Sequence, residues 1–170
     1  MGAQTGKAGK SMGSENVQVQ DRAEVITHPP VIYAAAFLVG LLLHAWLPLR
    51  FLPGATIVWI AAPLVSIAVF VVLSAVWALT RAHTTFDARK PTTSIVTGGP
   101  YRLTRNPAYL SLTLLYIGVA ALFNSLAILG MVVPAVVVTH FGVILREESY
   151  LERKFGDEYR RYKARVRRWI

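Results

Sequence analysis

The chain has 170 residues, 54% of them hydrophobic, and a mean hydropathy of +0.46. That is too apolar for an ordinary soluble domain of this length, and the apolar residues fall in blocks, which indicates an integral membrane protein with one small helical bundle. The absence of cysteine excludes disulfides, thiolate catalysis and cysteine-ligated metal, and a net charge of +9 beside such blocks signals topology and lipid headgroup contact rather than nucleic acid.

Residues 1–27 are polar, rich in Gly, Ser and Gln, and without hydrophobic periodicity, so a disordered tail is expected there. A signal peptide is not expected, because the first apolar run starts only at Val31 and no small-x-small cleavage pattern follows it. Residues 28–170 then read as a single membrane domain, opened by Thr27-His28-Pro29-Pro30 as a helix start. Apolar blocks at 31–49, 56–80, 107–123 and 126–145 predict four transmembrane helices. The third is the shortest, about 25 Å against a ~30 Å hydrocarbon core. Pro63 and Pro134 fall inside spans, where kinks are expected.

Charge predicts orientation. The loop 81–106 carries Arg81, Arg89, Lys90, Arg102 and Arg105 against Asp87, and nine Lys or Arg follow Leu145. Both regions are assigned to the cytoplasm, which leaves both termini inside. Asn124-Ser125 is a tight turn, so the third and fourth spans form an antiparallel hairpin whose open end is cytoplasmic. Packed helix axes lie about 8–10 Å apart, so Arg105 to Tyr109, entering the hairpin, become neighbours of Arg146-Glu147-Glu148, leaving it.

These residues predict one site. Asn106-Pro107 reads as a helix start with Asn as N-cap. Its free N–H groups and positive dipole end, beside Arg102 and Arg105, suit a carboxylate or phosphate. Glu147 and Glu148 offer acceptors for an ammonium group, ribose hydroxyls or a positive centre. Gly98-Gly99-Pro100 permits close backbone approach without forming a dinucleotide fingerprint. A zwitterionic ligand with an adenosine or lipid body fits.

Segment 146–170 is predicted as an interfacial amphipathic helix, with Leu151, Phe155, Tyr159, Tyr162 and Val166 on one face, which serves either as a membrane anchor or as a lid folded over the bound ligand, the two being compatible. Gly156-Asp157 interrupts it, Gly closing one piece and Asp capping the next. His44 and His140 have no His or carboxylate at i+3 or i+4, so no metal site is assigned. Tyr33, Trp46, Trp59 and Trp77 are assigned to an interfacial belt or to packing of the first two spans. No small-x-x-x-small pattern stands out to define an oligomer.

Thr97-Gly98-Gly99-Pro100-Tyr101-Arg102 and Arg105-Asn106-Pro107-Ala108-Tyr109, then Glu147-Glu148, Leu151, Phe155-Gly156, Tyr159, Tyr162, Val166 and Arg168-Trp169-Ile170, resemble the isoprenylcysteine carboxyl methyltransferase and phospholipid methyltransferase superfamily. The resemblance runs from about Arg81 onward. It implies an all-α membrane enzyme, in a bacterial or archaeal plasma membrane, that uses S-adenosylmethionine to methylate a lipophilic acceptor. Carried over by residue, it implies that Gly98, Gly99, Pro100, Tyr101, Arg105, Asn106, Pro107 and Tyr109 line the cofactor, with Glu147 and Glu148 closing on it. Asn106 stands where isoprenylcysteine enzymes place His, and Ser111 where they often have Gly, so the acceptor is not carried over.

A sulfonium is an activated methyl donor, so in-line geometry and water exclusion supply most of the effect. A carboxylate acceptor needs an orienting cation, for which Arg105 or Arg168 qualifies; an amine needs a base, for which Glu147 or Glu148 qualifies. Two other classes stay open: an NADPH-dependent membrane reductase of the sterol reductase type, and a noncatalytic protein binding anionic lipid through its basic tail.

Overall fold

The computed structural model describes residues 23, 25–84 and 92–170. Most of the expected tail, together with Asp87, Arg89 and Lys90, lies outside these. The described residues are helical with no strand.

Helix α1 (Pro29–Trp46) opens with proline at its first positions, where a missing N–H costs nothing. A 3₁₀ turn, Gly54–Thr56, leads into α2 (Ile57–Arg81), which runs on through Pro63. Helix α3 spans Pro107–Leu122. Two residues past its end, Asn124 takes φ +46°, which asparagine tolerates. Its side chain accepts from Phe51 N and Leu52 N at 3.1 and 2.8 Å and donates to Leu52 O at 2.8 Å. That end of the bundle is thereby tied together, with Ser125 accepting from Ile128 N to start α4 (Leu126–Gly130).

The chain continues through α5 (Val132–Thr139), a π-helical turn at His140–Ile144, and α6 (Leu145–Phe155). The break at Met131 follows from Pro134, which has no N–H to offer the Gly130 carbonyl. Gly156, at φ +53°, ends α6, and α7 follows at Asp157–Arg165. Asp157 does not cap α7; it pairs with Arg160 at 2.7 Å. Helical structure thus divides at Gly156, where an interruption was expected, but Val166–Ile170 are not helical, so the helix expected to run to 170 stops at Arg165.

Three helical stretches are long and apolar enough to cross a bilayer: Pro29–Trp46, Gly54–Arg81 and Leu126–Phe155, the last apolar only as far as Leu145. Pro107–Leu122 is a shorter apolar helix, about 24 Å long. Large side chains such as Trp59, Phe70 and Phe141 face outward, at 81, 72 and 63% exposure, as lipid contact requires.

The helices approach through small residues. Ala61, Ala68 and Ala75 form a buried heptad-spaced stripe on α2, and a Cβ on Gly118 of α3 would lie 2.8 Å from Val65 Cγ2. Helix α3 packs most closely along α2, while α4 and α5 pack chiefly on α1. A Cβ on Gly40 of α1 would lie 2.8 Å from Ile128 Cα. Tyr33, Phe37 and Tyr116 meet edge to face in the core, and Phe37 meets the half-exposed Phe123 in the same way at its margin. Tyr33 belongs to this packing, with its hydroxyl 2.7 Å from Thr113 Oγ1; Trp46, at 90% exposure, points outward.

Candidate functional site

Site geometry begins at the start of α3. Asn106 occupies the cap position, but its side chain makes no cap hydrogen bond. Nδ2 instead donates to Arg168 O at 3.1 Å. The same carbonyl accepts from Thr104 Oγ1 at 3.0 Å, and Arg105 N donates to Arg167 O at 3.0 Å. These three bonds fasten the extended segment after α7 across the loop before α3. The expected cap is therefore replaced by a docking contact, which leaves the α3 N-terminus open.

From α6, Glu148 is buried at 5% exposure and accepts a two-pronged contact from Arg168, Nε at 2.9 Å and Nη2 at 2.8 Å. Arg105 Nη1 lies 3.2 Å from its Oε1. A carboxylate taken out of water is tolerated only with such company. Glu147 accepts from Tyr109 Oη at 2.8 Å. Burial pushes the Glu147 carboxyl above the usual carboxylate range; the Tyr109 bond opposes this and the neighbouring Glu148 charge adds to it.

The π turn sets which way these carboxylates face. One inserted residue rotates everything after it by ~100° about the helix axis. Without that turn, α6 would present a different pair of side chains to α3.

Between the two segments lies a cavity. Its floor is Arg105, Asn106, Pro107, Ala108 and Tyr109, with Glu147 and Glu148 opposite. Its walls are Tyr101, Tyr159 and Tyr162, with an apolar side from Leu79, Ile95, Val96 and Leu151 and polar atoms from Thr92 and Ser94. The interior offers about 100 Å³ to a water-sized sphere, and free space including the mouth comes to about 760 Å³. Burial raises the Tyr101, Tyr159 and Tyr162 phenols above their ordinary value, so they stay neutral donors at physiological pH. Tyr162 Oη donates to Tyr101 O at 2.8 Å.

Of the residues singled out by sequence, Tyr101, Arg105, Asn106, Pro107, Tyr109, Glu147 and Glu148 line this cavity; Gly98, Gly99 and Pro100 do not. Gly99, at φ +59°, packs its turn toward Ala78 of α2. Arg168 lies outside the lining and holds Glu148. Tyr159 and Tyr162, on the face read as either a membrane anchor or a lid, are buried at 2 and 8% exposure and turn to the cavity. Thr92, Ser94, Ile95 and Val96 were not foreseen; they lie in a loop with no periodicity to mark them.

A zwitterionic nucleoside ligand matches this donor set. Arg105 Nε is buried without a hydrogen-bond partner among the described residues, while Nη1 is ion-paired with Glu148 at 3.2 Å; the guanidinium sits beside the open helix start, which suits a carboxylate. Glu147 suits an ammonium. No group of three or more His, Asp or Glu able to hold a metal occurs among the described residues.

Comparison with known proteins bears on the same segments. A Haemophilus influenzae protein described as uncharacterized is 56% identical over 63 residues, which are 36% of this chain and 98% of that protein. No solved structure matches significantly. The family model described as phospholipid methyltransferase matches residues 56–158, a stretch that runs from α2 into α7 and contains both halves of the cavity floor. Matched over more than half its length by that model, the chain belongs to the phospholipid methyltransferase family.

Proposed function

We propose that the cavity binds S-adenosylmethionine and that the protein transfers its methyl group to an amine-bearing lipid entering from the bilayer. The observation that carries this is the meeting, in one cavity, of Arg105 and the uncapped α3 start with Glu147 and Glu148. S-adenosylmethionine supplies a methyl group already activated on a sulfonium. Arg105 and the α3 N–H groups receive its carboxylate, and Glu148 holds Arg105 in place. The tyrosine walls exclude water. An amine acceptor has to lose a proton, and Glu147, a carboxylate in the cavity lining whose proton affinity burial raises, is placed to take it, with Glu148 as the second acceptor on that side. Arg168 is engaged with Glu148 outside the lining, so a carboxylate acceptor lacks one of its two candidate orienting cations. The charge distribution supports four spans with both termini on the cytoplasmic side of the membrane.

Calorimetric titration of purified protein with S-adenosylhomocysteine and with NADPH tests the cofactor. Binding of the first alone is expected; binding of NADPH alone would make the protein a reductase, and binding of neither would overturn the reading. Incubation with methyl-labelled S-adenosylmethionine and total membrane lipid then tests the acceptor. A labelled aminolipid is expected, and a labelled base-labile ester would replace N-methylation with carboxylate methylation.

A further inference from the structure

Beyond the cavity, a second concave region lies on the outer side of α7. Arg102, from the turn Gly99–Arg102, and Arg161 and Arg165, one helical turn apart on α7, border a hollow of about 440 Å³ with Thr97, Glu158 and Val166. All three arginines are exposed. Among the described residues none of them makes a hydrogen bond or ion pair, whereas Arg105, Arg160, Lys163 and Arg168 are each paired with a carboxylate. Three guanidiniums therefore border, with one carboxylate, Glu158, a hollow able to take a tetrahedral anion; Asp157, which Arg161 influences through space, lies outside that lining and is tied to Arg160 at 2.7 Å, and arginine forks in such a setting bind phosphate.

The surroundings indicate where that phosphate comes from. The turn carrying Arg102 packs on the end of α2, with Gly99 facing Ala78. Next to Ala78, Trp77 is 57% exposed and stacks under Arg81 at 3.9 Å, a pairing of aromatic ring and cation found at the headgroup level of a bilayer. Leu103, beside Arg102, is 77% exposed. An apolar side chain next to unpaired cations at headgroup depth matches a lipid, which has an acyl chain below its phosphate, better than a free ion.

We propose that Arg102, Arg161 and Arg165 form a binding site for the headgroup phosphate of an anionic phospholipid, separate from the methyl-transfer cavity. Tyr162 lines both hollows and bonds to Tyr101 O, so a lipid seated here braces a wall of the cavity. The site itself needs no part of the methyltransferase reading.

Titrating detergent-purified protein with dihexanoyl phosphatidylglycerol, followed by thermophoresis, tests it directly. Wild type is expected to bind. The Arg102→Gln/Arg161→Gln/Arg165→Gln variant should lose ~100-fold in affinity, since each arginine near a charged headgroup contributes roughly fivefold and the three multiply, while keeping its melting temperature because none of the three has a hydrogen bond or ion pair to lose. Unchanged affinity in that variant overturns the site. Equal binding of dihexanoyl phosphatidylcholine overturns the requirement for net negative charge, and equal binding of inorganic phosphate overturns the lipid as its source. An Arg160→Gln/Lys163→Gln variant, which removes paired cations, should bind like wild type; a comparable loss there would reduce the effect to overall charge and overturn the proposal. S-adenosylhomocysteine affinity, measured separately, reports on the cavity whichever way the lipid result falls.

Discussion

Replacing Glu148 with alanine removes the acceptor that two arginines share. Arg168 has a side chain 31% exposed and can turn into water, but the Arg105 side chain is 8% exposed and can turn only into the cavity that it lines. Leaving such a charge without its partner costs about 3–5 kcal/mol. For a domain of this size that is a fall in melting temperature of roughly 6–20 °C. Arg168→Ala should cost much less, about 1–2 kcal/mol, because Glu148 keeps Arg105 and the lost contacts are partly solvent-exposed. The decisive comparison is the double variant: Glu148→Ala/Arg105→Ala removes the stranded charge and should be more stable than Glu148→Ala alone, a non-additivity that neighbouring sites show. Thermal unfolding in one mild detergent, at one pH, measures all four proteins. If Glu148→Ala melts within 3 °C of wild type, or the double variant melts below it, the buried triad is not what holds this end of the bundle.

Glu147 gives a pH signature. Its folded-state pKa lies above the ordinary carboxylate value of 4.5, so the folded protein binds this proton more tightly than the unfolded chain and stability falls as pH rises through the window above 4.5. Glu147→Gln should flatten that decline and melt higher than wild type at pH 7; a steeper decline in the variant would contradict the burial argument. Gly40→Ala should destabilise by about 1–3 kcal/mol, because the new Cβ meets the Ile128 backbone at 2.8 Å and backbone cannot swing aside. Gly142→Ala meets only the end of an exposed Ile26 side chain and should cost less, with Ile26→Ala abolishing the cost; both comparisons are read from melting temperatures. Tyr162→Phe removes the bond to Tyr101 O and should lower stability by about 1 kcal/mol.

Long apolar runs made the helices legible, since a bilayer demands that every backbone group be satisfied within the segment. The tight turn at Asn124-Ser125 made it legible that Arg105 to Tyr109 would meet Glu147 and Glu148, and the cavity lining brings these residues together. Which helices pack closely was less legible: α3 lies mainly along α2 through the Ala61, Ala68 and Ala75 stripe, whose small residues read in sequence as ordinary apolar filler. The π turn at His140–Ile144 has no residue type that announces it. Tyr159 and Tyr162 carried an amphipathic pattern that records one apolar face but not what it meets. Arg168 could be read as a lone cation near the acceptor; only the return of the extended segment across Thr104 and Asn106 puts it on Glu148.

That return also imposes an order in time. Arg168 O reaches Thr104 across 64 positions of sequence, so at roughly 5–20 residues per second a ribosome needs about 3–13 s between making the two partners. During that interval α1 to α3 can already be in the bilayer, while Arg105 waits beside an unfinished wall. The contact that fastens the site is thus among the last that synthesis makes available, and a nascent chain stalled between Phe155 and Arg168 has its membrane helices complete while Glu148 still lacks one of its two arginines.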